Sequence, residues 1–123
     1  AGLRTYGLVA MGSALFIVTS KIILLDFVGV TNFDPLRVSA GVISGIGFIG
    51  AGLILFKENK LSGLTTAAGL WVASGIGIAC GFELYMLAIF ATFLTLLAFT
   101  LWFVEDRVRK LKRKSDFANT NNG

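Results

Sequence analysis

Four long apolar stretches constrain this chain more than any other feature. They lie at about residues 6–25, 35–56, 64–80 and 84–104 and are joined by short polar segments. An α-helix rises about 1.5 Å per residue, so about 20 residues cross the roughly 30 Å hydrocarbon layer of a bilayer. Because 55% of only 123 residues are apolar, a small water-soluble fold is disfavoured. The pattern therefore predicts an all-α, polytopic transmembrane helix bundle with four spans.

The chain divides by composition into two parts. Residues 1–106 contain the four apolar stretches, and residues 107–123 begin with a run of Lys and Arg and end in polar residues. We expect a transmembrane helical domain followed by a basic juxtamembrane segment and, from Ser115, a disordered polar tail.

Histidine is absent and Cys80 is the single cysteine. A disulfide framework, a zinc site or a haem site needs several such ligands at fixed spacing, so these groups are disfavoured. The apolar spans also lack a carboxylate pair at helical spacing and a nucleophile beside a base. The sequence therefore predicts a protein that is not an enzyme and has no cofactor.

Positive charge is distributed unequally between the two ends of the spans. If the C-terminus lies in the cytoplasm, nine basic residues lie there and only Lys21 and Arg37 lie outside. The nine are Arg4, Lys57, Lys60, Arg107, Arg109, Lys110, Lys112, Arg113 and Lys114. Lys and Arg next to spans are retained in the cytoplasm, so we expect a multi-pass protein of a bacterial inner membrane with a cytoplasmic C-terminus.

The basic run after the fourth span also has a charge pattern found in nucleic-acid-binding proteins. Because it directly follows a membrane span, orientation of the helix and contact with anionic membrane lipids explain it better. We therefore expect membrane lipids as partners and no nucleic acid.

Asp34 precedes the only proline of the chain, Pro35. An Asp at this position can cap a helix whose first turn holds the proline, so the second span is predicted to begin here. As an alternative, a hydrated Mg²⁺ could lie near Asp34, Asp26 or Glu83, all three of which are expected on the outer side with Lys21 and Arg37, since one or two carboxylates suffice for this ion.

The second span contains five glycines within residues 41–52. Each costs a helix roughly 1 kcal/mol relative to Ala, so a compensating contact is expected. At 100° per residue, Gly41, Gly45 and Gly52 share one face, and Gly47 and Gly50 lie on the far side. Because small residues let helices approach closely in lipid, we predict that this span lies between two close neighbours. Close approach to a ligand or a mobile break in the helix are the alternatives.

The third span has a stripe of small residues at spacings of three and four, which we expect to meet the second span. The stripe comprises Thr66, Gly69, Ala73, Gly77 and Cys80. At the beginning of the third span, Thr65 and Thr66 either cap the helix or form a polar lining at the cytoplasmic end of the bundle.

Several of these segments resemble the membrane domain of the MgtC/SapB family. The matching segments are residues 1–5 (AGLRT), 34–37 (DPLR), 42–52 (VISGIGFIGAG) and 63–73 (GLTTAAGLWVA). The resemblance implies an additional upstream span, five in the full domain. It also implies a role in survival at low magnesium, virulence in some relatives, and contact with the membrane part of ATP synthase. The residues that it marks as functional are Asp34, Arg37, Gly45, Gly47, Gly50, Gly52, Thr65 and Thr66.

Two main functional hypotheses follow, and a third is a structural small-helix module inside a larger complex. In the first, the protein acts by helix-to-helix contact with other membrane proteins in magnesium or stress homeostasis. In the second, it is a transporter or channel for Mg²⁺ or another cation, with a pore between the subunits of a homo-oligomer. The middle of every span lacks Asp, Glu, Lys and Arg, which favours the first because ion pathways usually place charged groups there.

Overall fold

The computed structural model describes residues 2–26, 28–29, 34–57 and 60–120, and the side chains of 55–57, 60–61 and 119–120 are not considered. Within these residues lie four helices and two short strands. In chain order they are α1 (Leu3–Asp26), α2 (Pro35–Leu53), β1 (Leu55–Lys57), β2 (Lys60–Ser62), α3 (Leu64–Gly81) and α4 (Tyr85–Thr120). All four helices are long and apolar enough to cross a membrane. The predicted all-α, four-span architecture is confirmed.

Helix α2 begins where the sequence predicts. Asp34 has extended backbone angles, and its carboxylate accepts a hydrogen bond from the backbone N–H of Leu36 at 2.9 Å. Pro35 occupies the first helical position, where the missing N–H costs nothing because it would have no partner inside the helix. Asp34 is therefore the N-cap of α2.

The end of α2 differs from the prediction. The helix ends at Leu53, three residues before the predicted end at Phe56, because Ile54 adopts extended angles. The chain then forms a small antiparallel hairpin in which Leu55 pairs with Ser62 and Lys57 with Lys60. Backbone pairing between β1 and β2 thus replaces the last helical turn that the apolar sequence predicted.

Gly63 connects this hairpin to α3 in a conformation that favours glycine. Its φ is 89°, and an added Cβ would collide with the carbonyl oxygen of Leu53. Residues other than glycine are disfavoured at positive φ, so both the backbone angle and the space select glycine here. The end of α2 and the start of α3 are thereby held close together.

The chain divides into two compact units, one ending at Ala91 and one beginning at Thr92. In the first unit, α1 and α3 form the main helix pair. Gly77 approaches Ala10 and Gly81 approaches Ile17, so the contacts advance in the same direction along both helices, which are parallel. Ile17 and Leu70 are completely buried in this unit.

The second unit consists of the remainder of α4, which continues as a helix to Thr120. The apolar span is predicted to end near Val104, and the helix itself continues past this residue and through residues 115–120, where the sequence predicts a disordered tail. Two ion pairs at i,i+4 spacing stabilise the helix just beyond the apolar stretch: Glu105 with Arg109, and Asp106 with Lys110 at 2.8 Å. Residues 121–123 of the predicted tail lie outside the described residues.

Candidate functional site

The closest helix contact lies between α1 and α3. A Cβ added at Gly77 would collide with the carbonyl oxygen of Ala10, and one at Gly81 would lie 2.5 Å from the Cβ of Ile17. The two glycines therefore allow the backbones to approach more closely than any larger residue would. We call this contact the α1–α3 interface.

A hydrogen bond between buried hydroxyls lies at the α1–α3 interface. The Oγ atoms of Ser13 and Ser74 are 3.1 Å apart, and Ser13 also donates to the carbonyl oxygen of Val9 at 2.8 Å. Ser13 is therefore the acceptor from Ser74, and both hydroxyls are satisfied. Interhelical bonds of this kind contribute about 1 kcal/mol in membrane proteins.

Helix α2 packs much less closely than the sequence predicts. Only Gly50 approaches a neighbour, with an added Cβ 3.6 Å from the Cβ of Ala67 in α3. At Gly41, Gly45, Gly47 and Gly52 an added Cβ would meet no atom within 4 Å among the residues that the structure describes. Within the described part of a single chain, the prediction that α2 lies between two close neighbours is therefore wrong, because only α3 approaches one of its glycines. Gly77 of the α3 stripe, expected to face α2, faces α1 instead.

An open groove of about 750 Å³ runs between α1 and α2. Its lining is mostly apolar and includes Gly12 of α1 and Gly41 and Gly45 of α2 between larger side chains such as Phe16 and Ile49. The groove exists because these three glycines leave space that no other described residue fills. We call it the α1–α2 groove.

The opposite side of α2 also consists of small, exposed residues. Gly47 lies here, and Ala40, Ser44 and Ala51 share this side at spacings of three and four. Phe48, between the two sides, is 83% exposed. Helix α2 thus presents small residues on two sides that do not contact α3. We call them its open glycine faces: one holds Gly41 and Gly45 in the groove, and the other holds Gly47.

The predicted site residues do not form one cluster. Asp34 and the exposed Arg37 lie at the first end of α2, and Thr65 and Thr66 lie in the first turn of α3, beyond the other end of α2. A helix of 19 residues is about 28 Å long at 1.5 Å per residue. The structure therefore places these pairs at opposite ends of the bundle, with the four glycines between them.

Sequence reasoning missed an ion pair between α1 and the α3–α4 connection. Lys21 Nζ donates a hydrogen bond to Glu83 Oε1 at 2.8 Å. Glu83 has a φ of 63°, a left-handed conformation that is uncommon for residues other than glycine. The only sequence signal was that both residues were expected on the same side of the membrane.

The Lys21 hydrogen bond and charge hold the pKa of the Glu83 carboxyl below its ordinary value of 4.5. The ionised form is thus favoured in the folded protein. Stabilisation from this pair is fully present above pH 4.5 and is lost as the pH falls through the lower folded-state pKa. The effect is small because both side chains are partly exposed to solvent.

We therefore expect Glu83→Gln to lower the thermal unfolding midpoint at neutral pH but not well below pH 4.5, where the native carboxyl is also protonated. The midpoint is measured in detergent at both pH values for both proteins. Asp26→Gln is the control, because Asp26 is an exposed carboxylate at the end of α1. If Glu83→Gln lowered the unfolding midpoint by the same amount at both pH values, the ion pair would not be the cause, and the prediction would be contradicted.

Metal-binding clusters are not found in the described part of the chain, where no three His, Cys, Asp or Glu residues come together. Asp34 uses its carboxylate as a cap and Glu83 binds Lys21. Asp34 and Glu83 are therefore each engaged by a different structural partner.

The chain is similar to a known protein family and to several named proteins. The profile of the MgtC family matches residues 1–107. YhiD of Escherichia coli (strain K12), whose name marks it as a candidate magnesium transporter, is 48% identical over 102 residues. The protein MgtC of Salmonella typhimurium (strain LT2) is 44% identical over 98 residues, and that of Brucella abortus (strain 2308) is 45% identical over 92 residues. No solved structure matches the chain significantly.

The matches cover most of this chain but less than half of each relative. The shares for YhiD, Salmonella MgtC and Brucella MgtC are 79%, 80% and 75% of this chain and 46%, 39% and 36% of the relative. The similarity therefore concerns the membrane-spanning part.

Proposed function

Because the chain belongs to the MgtC family, we propose that it is a non-enzymatic protein of the bacterial inner membrane that binds other membrane proteins through its helices. Magnesium or stress homeostasis is the process that it serves. The membrane part of ATP synthase, which the family resemblance implies as a partner, is the first one to test. The C-terminus lies in the cytoplasm in this proposal, as the distribution of Lys and Arg favours.

One observation carries the proposal: the open glycine faces of α2. Each helical glycine costs roughly 1 kcal/mol relative to Ala. Gly77 and Gly81 offset this cost through the α1–α3 interface, whereas Gly41, Gly45, Gly47 and Gly52 contact no atom that would restrict an added Cβ among the described residues. Small residues in a membrane span allow another helix to approach, so these glycines fit a partner outside the described chain.

Leucine at Gly45 or Gly47 is the direct test. Because both positions are open, we expect Gly45→Leu and Gly47→Leu to fold with unchanged or higher thermal stability, since Leu is the better helix former. We also expect each variant to lose copurification with the ATP synthase membrane part and to lose support of host growth at low magnesium.

Gly75→Leu is the matched control, because Gly75 is a similarly open glycine on α3. It should leave partner contact unchanged, with unchanged or higher thermal stability as in the two α2 variants. Equal loss of contact in all three variants, or full contact in the two α2 variants, would contradict the proposal. The relative loss of contact in Gly45→Leu and Gly47→Leu also shows which side of α2 contributes more to binding.

Transport is the second candidate, because the relative YhiD is named as a candidate magnesium transporter. In that case Mg²⁺ or another cation is the cargo, and the pore lies between subunits. Flux of Mg²⁺ into liposomes that contain the purified natural chain distinguishes the two. Reproducible flux that Gly45→Leu or Gly47→Leu abolishes would favour transport over partner contact.

A further inference from the structure

The part of α4 beyond the apolar span is an amphipathic helix with a narrow apolar strip. We call residues 105–118 the stem. Residues of the strip follow one another at alternating spacings of three and four, and all but the small polar Ser115 are apolar: Leu101, Val104, Val108, Leu111, Ser115 and Ala118. At 100° per residue they cover about 100° of the helix, the arrangement typical of a coiled-coil contact.

Lipid explains the exposure of Leu101 and Val104 in the span, but it does not explain the strip on the stem. Leu111 is 67% exposed and Val108 is also exposed. At 1.5 Å per residue, Leu111 lies about 10 Å beyond Val104 along the axis of the same continuous helix. This distance takes it beyond the hydrocarbon layer, so another apolar surface is needed to cover it.

Charges of both signs lie around the stem. Arg109 is paired with Glu105, and Lys110 is paired with Asp106 on the side away from the strip. Three basic residues lie next to the strip: Arg107 and Lys114 on one edge, and Lys112 on the other edge, which it shares with the paired Glu105. Arg107 lies over the Phe103 ring at 5.4 Å. None of these three basic side chains has a carboxylate partner among the described residues.

We propose that the stem is a docking surface for an acidic amphipathic helix of another protein. Apolar residues of that helix cover Val108 and Leu111, and its carboxylates pair with Arg107, Lys112 and Lys114. The charge pattern argues for this occupant, because residues beside a coiled-coil contact select partners by opposite charge. The proposal concerns the stem alone and is independent of the contact through α2.

Two other occupants are disfavoured. A second copy in parallel would bring Arg107 of one chain near Lys112 of the other, and like charges in contact are destabilising. Anionic lipid attracts the basic residues near the membrane, but its polar headgroups do not cover the apolar side chain of Leu111, which lies about 10 Å beyond Val104 along the helix.

The test measures binding of synthetic peptides to the full chain in phosphatidylcholine nanodiscs. The probe is a helical peptide with Leu at heptad positions a and d and Glu at e and g. We expect it to bind in a salt-dependent manner, a peptide with Lys at e and g not to bind, and a scrambled acidic peptide to bind at least about tenfold more weakly. Equal binding of the scrambled peptide would overturn the proposal, since charge alone would then explain it.

Matched variants locate the surface. Leu111→Ser should weaken binding by about tenfold or more, whereas Phe117→Ser, on the other side and 75% exposed, should not. Lys112→Gln with Lys114→Gln should weaken binding and its salt dependence, whereas Arg113→Gln should change little. If Leu111→Ser and Phe117→Ser weakened binding equally, or if the double Lys variant and Arg113→Gln did, the peptide would not bind on the side of the strip, and the proposal would be contradicted.

Two further measurements test the other occupants. Crosslinking between copies at Leu111→Cys in a Cys80→Ser chain would assign the strip to a second copy and overturn the proposal. Loss of peptide binding in phosphatidylglycerol nanodiscs would assign the strip to lipid and also overturn it.

Discussion

Gly77→Ala is expected to destabilise the folded protein by about 1–3 kcal/mol or more, the range for overpacking a close contact. The added Cβ would collide with the carbonyl oxygen of Ala10 and would lie 2.9 Å from the Cβ of Ser13. A backbone oxygen cannot rotate away as the end of a long side chain can, so α1 and α3 must separate. Their separation would also stretch the hydrogen bond between Ser13 and Ser74.

Thermal unfolding in detergent measures this effect, and Gly75→Ala is the control on the same helix. Because an added Cβ at Gly75 meets no atom within 4 Å in the described chain, Ala should stabilise that position by roughly 1 kcal/mol through its helix propensity. Opposite signs for the two alanines are therefore expected. Similar midpoints for both variants would contradict the close backbone contact at the α1–α3 interface.

Gly63→Ala should be destabilising for two separable reasons. At a φ of 89°, a side chain costs about 1–2 kcal/mol in backbone strain. The Cβ would in addition collide with the Leu53 carbonyl oxygen, which adds about 1–3 kcal/mol for overpacking. The link between α2 and α3 would open as a result.

Gly29→Ala separates the two contributions, because Gly29 has a similar φ of 85° but no atom within 4 Å of its added Cβ among the described residues. Its free energy of unfolding should fall only by the strain, and that of Gly63→Ala by considerably more. Equal losses would mean that the contact with Leu53 contributes nothing. Chemical denaturation in mixed micelles gives both values.

The helices could be predicted because their signals are local. Apolar stretches of sufficient length identify spans, and Asp34 followed by Pro35 identifies a helix start from two adjacent residues. The end of α4 is harder, because the ion pairs of Glu105 and Asp106 with Arg109 and Lys110 offset the low apolar content. Composition alone therefore marks the end of the apolar span near Val104 and not the end of the helix.

Partners of the glycines could not be predicted in the same way. A glycine in a span shows where two backbones can approach, but not which neighbour does so. Gly77 and Gly47 look alike in sequence, yet one lies against α1 and the other is open. The pair of Lys21 and Glu83 is equally long-range, and its geometry depends on the left-handed turn at Glu83.

The most direct test of the central claim uses a photoreactive phenylalanine analogue in place of Phe48, which lies on α2 beside Gly45 and Gly52. The same analogue at the exposed Phe90 of α4 is the control. After irradiation in native membranes, position 48 is predicted to form a protein adduct that Gly45→Leu or Gly47→Leu abolishes, and position 90 only lipid adducts. Lipid adducts alone at position 48, or protein adducts unaffected by both leucines, would contradict the account.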